Sequence, residues 1–169
     1  MGQDEIKRIF FENPSKTYHV REIARLLKIS KTAVGYHVNQ LIEQEIVLVK
    51  EGVFKEYAAN ESSRKYRFSK MIYAMEKIEE SGLIDLLEEE TTPKSIVLFG
   101  SFSKAEFDSK SDIDIFIQSK EQSINMRDFE KKMHHKINLF FEPDLKKLSN
   151  ELFNNIINGI KLRGYLKIR

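Results

Sequence analysis

The chain has 169 residues, a formal net charge of +2 and no cysteine, so disulfides and thiolate chemistry are excluded. Its length accommodates one large or two small domains, and its 41% hydrophobic and 32% charged residues are typical of a soluble globular protein. Because the sequence has neither a long apolar run nor the apolar core of a signal peptide, we expect a cytoplasmic protein without a membrane span.

The first thirty residues predict two short helices. One helix is predicted over residues 3–12 and ends before Pro14, because the residue that precedes a proline is disfavoured in a helix. The other is predicted over residues 20–27. Their apolar faces are Ile6, Ile9 and Phe10 in the first helix, and Ile23, Ala24 and Leu27 in the second.

A third helix and a β-hairpin follow. Ser30 is the predicted N-cap of the helix, whose apolar stripe extends from Ala33 to Leu41. Two short strands are predicted after it, over residues 46–49 and 55–58. Three helices and a hairpin within about sixty residues are the elements of a winged helix-turn-helix domain.

The segment REIARLLKISKTAVGYHVNQLIEQEIV resembles the winged helix-turn-helix family. The resemblance implies that the third helix enters the major groove of double-stranded DNA and that the wing contacts phosphates. Since basic and acidic residues are nearly balanced over residues 1–60, a protein-interaction or dimerisation module is the alternative. The residues predicted to contact DNA are Lys31, Thr32, Tyr36, His37 and Gln40 on the helix, and Lys50 and Lys55 beside the wing turn.

Residues 61–92 are interpreted as a helical linker. Their first ten residues are basic, and a helix follows whose apolar stripe includes Met71, Met75 and Ile78 and which ends at Gly82. A second short helix with an acidic exposed side is predicted before Pro93. This segment also offers a surface that could pair with a second copy of the chain in a homodimer.

Two apolar runs separated by a polar stretch carry the main chemical motif. The first run, residues 96–99, stops at Gly100 and Ser101, and the second begins with Asp112 and Asp114. Strand side chains alternate between faces, so the two aspartates point the same way. Adjacent carboxylates repel each other unless a cation lies between them, and Mg²⁺ combines such hard oxygen ligands with a substrate phosphate. Gly100 permits a close backbone approach, and Ser101 offers a hydroxyl and an amide to an anion.

The segment LFGSFSKAEFDSKSDIDIFI resembles the signature of the nucleotidyltransferase superfamily, in the minimal form related to the catalytic domain of DNA polymerase beta. Many members have a glycine where this chain has Ala105. The resemblance implies a nucleoside triphosphate as ligand, Mg²⁺ or Mn²⁺ as cofactor, and transfer of a nucleoside monophosphate to an acceptor hydroxyl. It assigns catalysis and metal binding to Asp112 and Asp114, and nucleotide binding to Gly100, Ser101 and Ser111.

One position departs from the pattern of active members of the superfamily. These usually have a third carboxylate on the strand after the connecting helix, and that position falls here on Asn138, in a strand predicted over residues 137–141. An amide can neither act as a base nor carry charge. Glu142 lies about 13 Å further along an extended strand. Two functions stay open: an active nucleotidyltransferase, and a DNA-binding transcription regulator whose degenerate second domain only senses nucleotide or a partner.

The last fifty residues predict two helices and a basic tail. Ser123 is the predicted cap of a helix that runs to about His134, and a final helix is predicted over residues 145–158. His134 and His135 are not favoured as a metal pair, because helix neighbours point about 100° apart. The tail, residues 161–169, is predicted to add a strand around Gly164 or to contact phosphate.

The sequence therefore predicts an α+β fold with two domains. A winged helix-turn-helix domain occupies residues 1–60, and a helical linker occupies residues 61–92. A small α/β nucleotidyltransferase-like domain with a mixed sheet occupies residues 93–169. The change from helical stripes to strand alternation after Pro93 is the basis of this division.

Overall fold

A computed structural model describes residues 2–167 of the chain, which divides into two compact units, residues 1–73 and residues 74–169. Each unit has its own cluster of buried apolar side chains. Within residues 2–167, none of the helices combines the length and the apolar character that crossing a bilayer requires.

The helices of the first unit lie where the apolar spacing predicts them. They are α1 (Gln3–Glu12), α2 (Val20–Leu27) and α3 (Lys31–Glu43). The hydroxyl of Ser30 accepts a hydrogen bond from the amide of Ala33 at 3.1 Å, which confirms the predicted N-cap of α3. The inward face of α3 consists of Val34, Val38 and Leu41, which are fully buried.

A small antiparallel sheet completes the first unit. Its strands are β1 (Thr17–Tyr18), β2 (Val47–Lys50) and β3 (Glu56–Ala59), in the order β1-β3-β2. The predicted hairpin is present as β2 and β3, each shifted by one residue, with Val47 opposite Ala59. β1 was not predicted from the sequence, because two residues are too short to show strand alternation. The winged helix-turn-helix assignment of this unit stays a prediction.

The segment after the hairpin forms α4 (Arg64–Glu79) and α5 (Leu83–Thr91). The N-terminal half of α4 contributes Tyr66 to the core of the first unit, where its hydroxyl donates to the carbonyl of Phe10 at 3.1 Å. Burial raises the pKa of Tyr66. Residues after position 60 therefore help to build this core.

The second unit is organised around a mixed sheet, as predicted. Its strands are β4 (Ser95–Phe99), β5 (Ile113–Ile117), β6 (Ile137–Phe141) and β7 (Ile160–Gly164), in the order β6-β5-β4-β7. β4 is antiparallel to both β5 and β7, and β5 is parallel to β6. The strand predicted around Gly164 is present as β7, while the last two residues of the predicted tail lie outside the described residues.

Short helices connect these strands: α6 (Gly100–Ser103), α7 (Arg127–Met133) and α8 (Asn150–Ile157). The predicted cap at Ser123 is wrong, because the N-cap of α7 is Met126, three residues later. The side chain of Asn125 accepts a hydrogen bond from the amide of Arg127 at 3.1 Å, which supports that start.

The continuous helix predicted over residues 145–158 is also wrong. A 3₁₀ turn, Leu145–Lys147, precedes α8, and the two are separated by Leu148 and Ser149. The hydroxyl of Ser149 accepts a hydrogen bond from the amide of Leu152 at 3.2 Å, so a second N-cap starts α8.

The two faces of the mixed sheet have different roles. Ile113, Ile115 and Ile117 are fully buried on one face. Phe116 belongs to the opposite face, in a core with side chains of β4, α8 and the 3₁₀ turn. Because strand side chains alternate, Asp114 shares the face of Phe116 and lies where that core ends.

Candidate nucleotide and metal site

The register of three strands brings the candidate site together. Phe99 at the end of β4 pairs with Asp114 of β5, and Asp114 pairs with Asn138 of β6. Gly100 follows Phe99 directly and begins α6. Residues that are far apart in the chain therefore meet in one row across the end of the sheet.

Gly100 lies directly against the carboxylate of Asp114. Its φ of +71° is in the left-handed region, and a methyl group added at this position would overlap Oδ2 of Asp114. The hydroxyl of Ser103 donates to the carbonyl of Gly100 at 2.8 Å and holds the short turn of α6. A glycine is required here, both for the backbone angle and for the space that Asp114 occupies.

Asn138 bridges the two aspartates. Its amide nitrogen Nδ2 donates to Oδ1 of Asp114 at 2.9 Å and to Oδ2 of Asp112 at 3.3 Å. The carboxylates therefore share one face, as the alternation predicts, and Asn138 lies at the position expected for a third carboxylate. A neutral donor between two anions partly offsets their mutual repulsion. All three side chains are partly exposed and open to solvent.

The other two residues predicted to bind nucleotide differ in their surroundings. Ser101 is half-buried in α6, next to Gly100. The hydroxyl of Ser111 donates to Oδ1 of Asp108 at 3.1 Å and accepts from the amide of Asp108 at 2.9 Å. Hydrogen bonds from the amide of Lys110 and from Ser111 hold the pKa of Asp108 below its usual value. Ser111 is thus adjacent to Asp112, but its hydroxyl stabilises the turn that leads into β5.

The donor set at this site fits a hard divalent cation that also binds a phosphate ligand. Among residues 2–167, no group of three or more His, Cys, Asp or Glu side chains is arranged to hold a metal ion. Mg²⁺, however, is often bound by one or two carboxylates and completed by substrate phosphates and water. Asp112 and Asp114 would supply the carboxylates. Rotation of the Asn138 side chain would present its amide oxygen to the same cation as a neutral ligand.

The adjacent histidines occupy different environments. His135 is buried, and its ring is edge-on to Phe102 at 4.9 Å between centroids. Nδ1 of His135 lies 2.7 Å from the carbonyl of Ser111, and because a carbonyl only accepts, Nδ1 donates this hydrogen bond. His134 ends α7 in the left-handed conformation and is exposed. His135 therefore anchors the turn before the aspartates.

A comparison with known families supports the resemblance that covers the second unit. Residues 81–164 match the family Polymerase beta, Nucleotidyltransferase. This confirms the nucleotidyltransferase part of the resemblance, and the match includes Gly100, Asp112, Asp114 and Asn138. It begins after the first unit, so it does not test the winged helix-turn-helix resemblance. No curated protein matches the chain.

The helix residues predicted to contact DNA form a continuous surface on α3. Thr32, Tyr36 and Gln40 are spaced four residues apart, so they lie on one face of the helix. Nε2 of Gln40 donates to the hydroxyl of Tyr36 at 3.1 Å, and the ring of His37 is edge-on to Tyr36 at 5.3 Å. Lys31 is exposed at the start of the helix. The geometry gathers these residues, and their role in DNA binding stays a prediction.

The hairpin turn has two exposed lysines and two exposed apolar residues. Lys50 and Lys55 flank the turn, and the ring of His19 donates from Nδ1 to the carbonyl of Lys55 at 3.0 Å. Val53 and Phe54 at the tip are 95% and 76% exposed. This apolar tip was not predicted from the sequence, because two adjacent apolar residues show no helical or strand periodicity.

A basic cleft beside Asp112 was also missed. It has a volume of about 480 Å³ and is formed by the turn before β5 and by α7 with the residues that follow it. The sequence does carry a signal: Arg127, Lys131 and His134 are spaced i, i+4 and i+7, which is one helical face. The cleft is lined by Ser109, Lys110, Ser111, Asp112, Arg127, Glu130, Lys131, His134, His135 and Lys136.

Proposed function

We propose that the nucleotidyltransferase domain binds a nucleoside triphosphate with Mg²⁺ and transfers its nucleoside monophosphate to an acceptor hydroxyl. The observation that carries the proposal is the row in which the strand register places Gly100 and Asn138 on either side of Asp114. The family match of residues 81–164 supports the same reaction class.

Each residue of the row has a role in this proposal. Asp112 and Asp114 would hold Mg²⁺, which when bound neutralises phosphate charge. Gly100 and Ser101 would bind the triphosphate through their backbone amides and the Ser101 hydroxyl, beside the carboxylate of Asp114 that lies against Gly100. The acceptor oxygen bonds to the α-phosphorus, the bond from that phosphorus to the β-phosphate oxygen breaks, and pyrophosphate leaves. Asn138 cannot take the hydroxyl proton, so the proton passes to solvent and turnover is slow.

Asn138 also favours a second function. Its amide donates one hydrogen bond to each aspartate, and an amide cannot act as the base that transfer requires. In this alternative the chain is a transcription regulator that binds double-stranded DNA through α3 and the wing. Its second domain then only senses nucleotide, because Mg²⁺–triphosphate binding needs the two aspartates but not a third carboxylate.

Thermal melting tests the binding step. The wild type, Asp114→Asn and the control Asp128→Asn, an exposed carboxylate of α7, are each melted with and without Mg²⁺ plus a nucleoside triphosphate. Ligand at about one hundred times its Kd stabilises by about 2.7 kcal/mol, or about 5–10 °C for a chain of this size. We expect this rise in the wild type and the control, and none in Asp114→Asn. An equal rise in all three proteins would refute the assignment of the aspartates.

Turnover separates the two functions. Wild type is incubated with Mg²⁺ and a triphosphate labelled at the α-phosphate, and pyrophosphate release and label transfer to added acceptors are followed. Pyrophosphate released in the wild type but not in Asp114→Asn supports the transferase. Ligand-dependent melting without pyrophosphate release, together with a shift of duplex DNA that Lys31→Ala weakens, supports the regulator.

A further inference from the structure

The cleft beside Asp112 has a strongly basic lining. Arg127 and Lys131 project from one face of α7, and His134 follows the helix directly as its C-cap. Lys110 lies in the turn before β5, and Lys136 directly precedes β6. Three separate segments thus place cationic or titratable groups around one cleft.

The four cations of this lining lie outside the ion pairs of the described residues. Within residues 2–167, Lys110, Arg127, Lys131 and Lys136 form no ion pair with a carboxylate, although other lysines and arginines of the chain do. Like charges that converge on one concave surface without direct ion-pair partners create a positive potential that concentrates anions.

Two carboxylates and a helix end oppose this potential. Oε1 of Glu130 accepts the amide of Ile137 at 3.1 Å, so one of its oxygens is engaged in positioning the start of β6. Asp112 belongs to the row of the candidate site. Basic residues near a helix C-terminus are common, because they interact favourably with the helix dipole, and this accounts for Lys131 alone. It does not account for Lys110, Arg127 and Lys136, which lie elsewhere.

We propose that the cleft binds a phosphate ester of the acceptor, and that Lys131 and Lys136 are its main anion-binding residues. The proposal rests on the proposed nucleotidyl transfer and names the chemical class of its acceptor. A phosphate held in the cleft places an attached hydroxyl beside Asp112, where the transferred group would be attacked. The ester can come from a mononucleotide or from the end of a single-stranded polynucleotide.

The position of the cleft assigns it to the acceptor rather than to the triphosphate. Gly100 and Ser101 follow β4, on one side of β5, and neither lines the cleft. The cleft adjoins β6, on the other side of β5, where Asn138 occupies the place of the missing base. The donor and the acceptor would therefore approach the two aspartates from opposite sides.

The lining also indicates which part of the acceptor is bound. Apart from its two histidines, the described lining has no aromatic side chain on which a base could stack. Lysine and arginine contacts to phosphate carry no sequence information, whereas stacking platforms are the usual means of holding single-stranded bases. We therefore expect binding that is insensitive to base sequence and strongly dependent on salt.

The test measures metal-free binding of a fluorescein-labelled single-stranded oligonucleotide by anisotropy, in EDTA and over a series of salt concentrations. The test variant is the double substitution Lys131→Gln with Lys136→Gln. The matched control is Lys146→Gln with Lys147→Gln, two exposed lysines of the 3₁₀ turn. Lys31→Gln controls for binding through α3. Melting temperatures verify that every variant is folded.

We expect the test variant to bind more weakly and its salt slope to fall by about 1.4, since each phosphate contact contributes about 0.7 on a single strand. The control pair and Lys31→Gln should match the wild type. Competition by a nucleoside monophosphate would identify a small phosphate ester as sufficient, and its failure to compete would identify a polynucleotide end. A wild-type slope in the test variant, or loss of binding only in Lys31→Gln, would overturn the proposal.

Asp114→Asn separates this proposal from the proposed function. Because the assay contains no metal and no triphosphate, this variant should bind the oligonucleotide as the wild type does. If the Mg²⁺-dependent melting test fails while the lysine variants still lose affinity, the cleft binds phosphate but the nucleotidyl transfer is wrong. If the lysine variants bind normally while Mg²⁺ and triphosphate still raise the melting temperature, only the acceptor assignment is wrong.

Discussion

The two units of this chain assemble their candidate binding surfaces in different ways. In the first unit, Thr32, Tyr36 and Gln40 share a surface because they lie on one helix. In the second unit, Gly100, Asp114 and Asn138 come from separate segments and meet through strand register. On a single helix, the loss of one side chain leaves the arrangement of the others unchanged. A row built by register depends on backbone geometry and on every neighbour.

Two glycines make this difference concrete. Gly35 lies within α3, and among residues 2–167 a methyl group added there would meet no atom within 4 Å apart from its chain neighbours and the adjacent backbone of its own helix. Gly100 has a φ of +71°, and the same methyl group would overlap the carboxylate of Asp114. Matched substitutions at these positions should therefore have opposite effects on stability.

The largest effect is expected for Gly100→Ala. The left-handed backbone angle and the overlap with Asp114 together should lower the free energy of unfolding by about 2–5 kcal/mol. The Mg²⁺–triphosphate melting shift should also disappear, since Asp114 must move. Gly35→Ala is the control and should raise stability by about 0.5–1 kcal/mol. Urea denaturation measures both, and equal effects at the two positions would contradict the comparison.

Asn138→Asp tests the row from its other side. The substitution removes the amide donor and places a third carboxylate beside two others, so it should cost about 1–3 kcal/mol of unfolding free energy without metal. The stabilisation by Mg²⁺ should increase at the same time, because a third anionic ligand becomes available. The control is Asn155→Asp, at an exposed position of α8. If Asn138→Asp lowered the unfolding free energy by the same amount with and without Mg²⁺, Asn138 would be only a packing residue.

A smaller effect is expected for Tyr73→Phe in the first unit. The hydroxyl of Tyr73 donates to the buried carboxylate of Glu12 at 2.6 Å, and its loss should cost about 1 kcal/mol. Burial, and then the hydrogen bond to Glu12, raise the pKa of Tyr73 above its ordinary value of about 10. This contribution to stability is fully present below about pH 10, the unfolded-state pKa, and is lost as the pH rises toward the higher pKa of the folded state. The melting temperature should therefore fall less steeply with rising pH in Tyr73→Phe than in the wild type. An equal slope in both proteins would mean that Tyr73 is not the source of this pH dependence.

The smallest effect on stability is expected for Tyr36→Ala. The side chain of Tyr36 is 62% exposed, so unfolding should change by no more than about 0.5 kcal/mol. If α3 reads DNA, affinity for duplex DNA should fall while the melting temperature stays constant, and a bandshift assay measures this. Unchanged affinity in both Tyr36→Ala and Lys31→Ala would remove α3 from the DNA-binding proposal.

Residue patterns predicted most of the elements, and their errors have physical causes. Helices α1 to α3 and the hairpin followed from apolar spacing and from the cap at Ser30, which act over a few residues. The helix predicted from Ser123 was wrong because a serine is a frequent cap but not a sufficient one. The break before α8 was missed because Ser149 lies inside an apolar pattern that also fits one long helix.

Local residue patterns were enough to indicate which residues could do chemistry: a glycine where a strand ends, two aspartates on one strand face, and an asparagine on the next strand. These follow from alternation along single strands, which local backbone geometry dictates. Three further features became evident only from the folded chain: Gly100 lies against Asp114, the Asn138 amide bridges both aspartates, and Lys110, Lys131 and Lys136 surround one cleft. The reason is that strand register and helix placement depend on packing between segments distant in the chain, which no local pattern encodes.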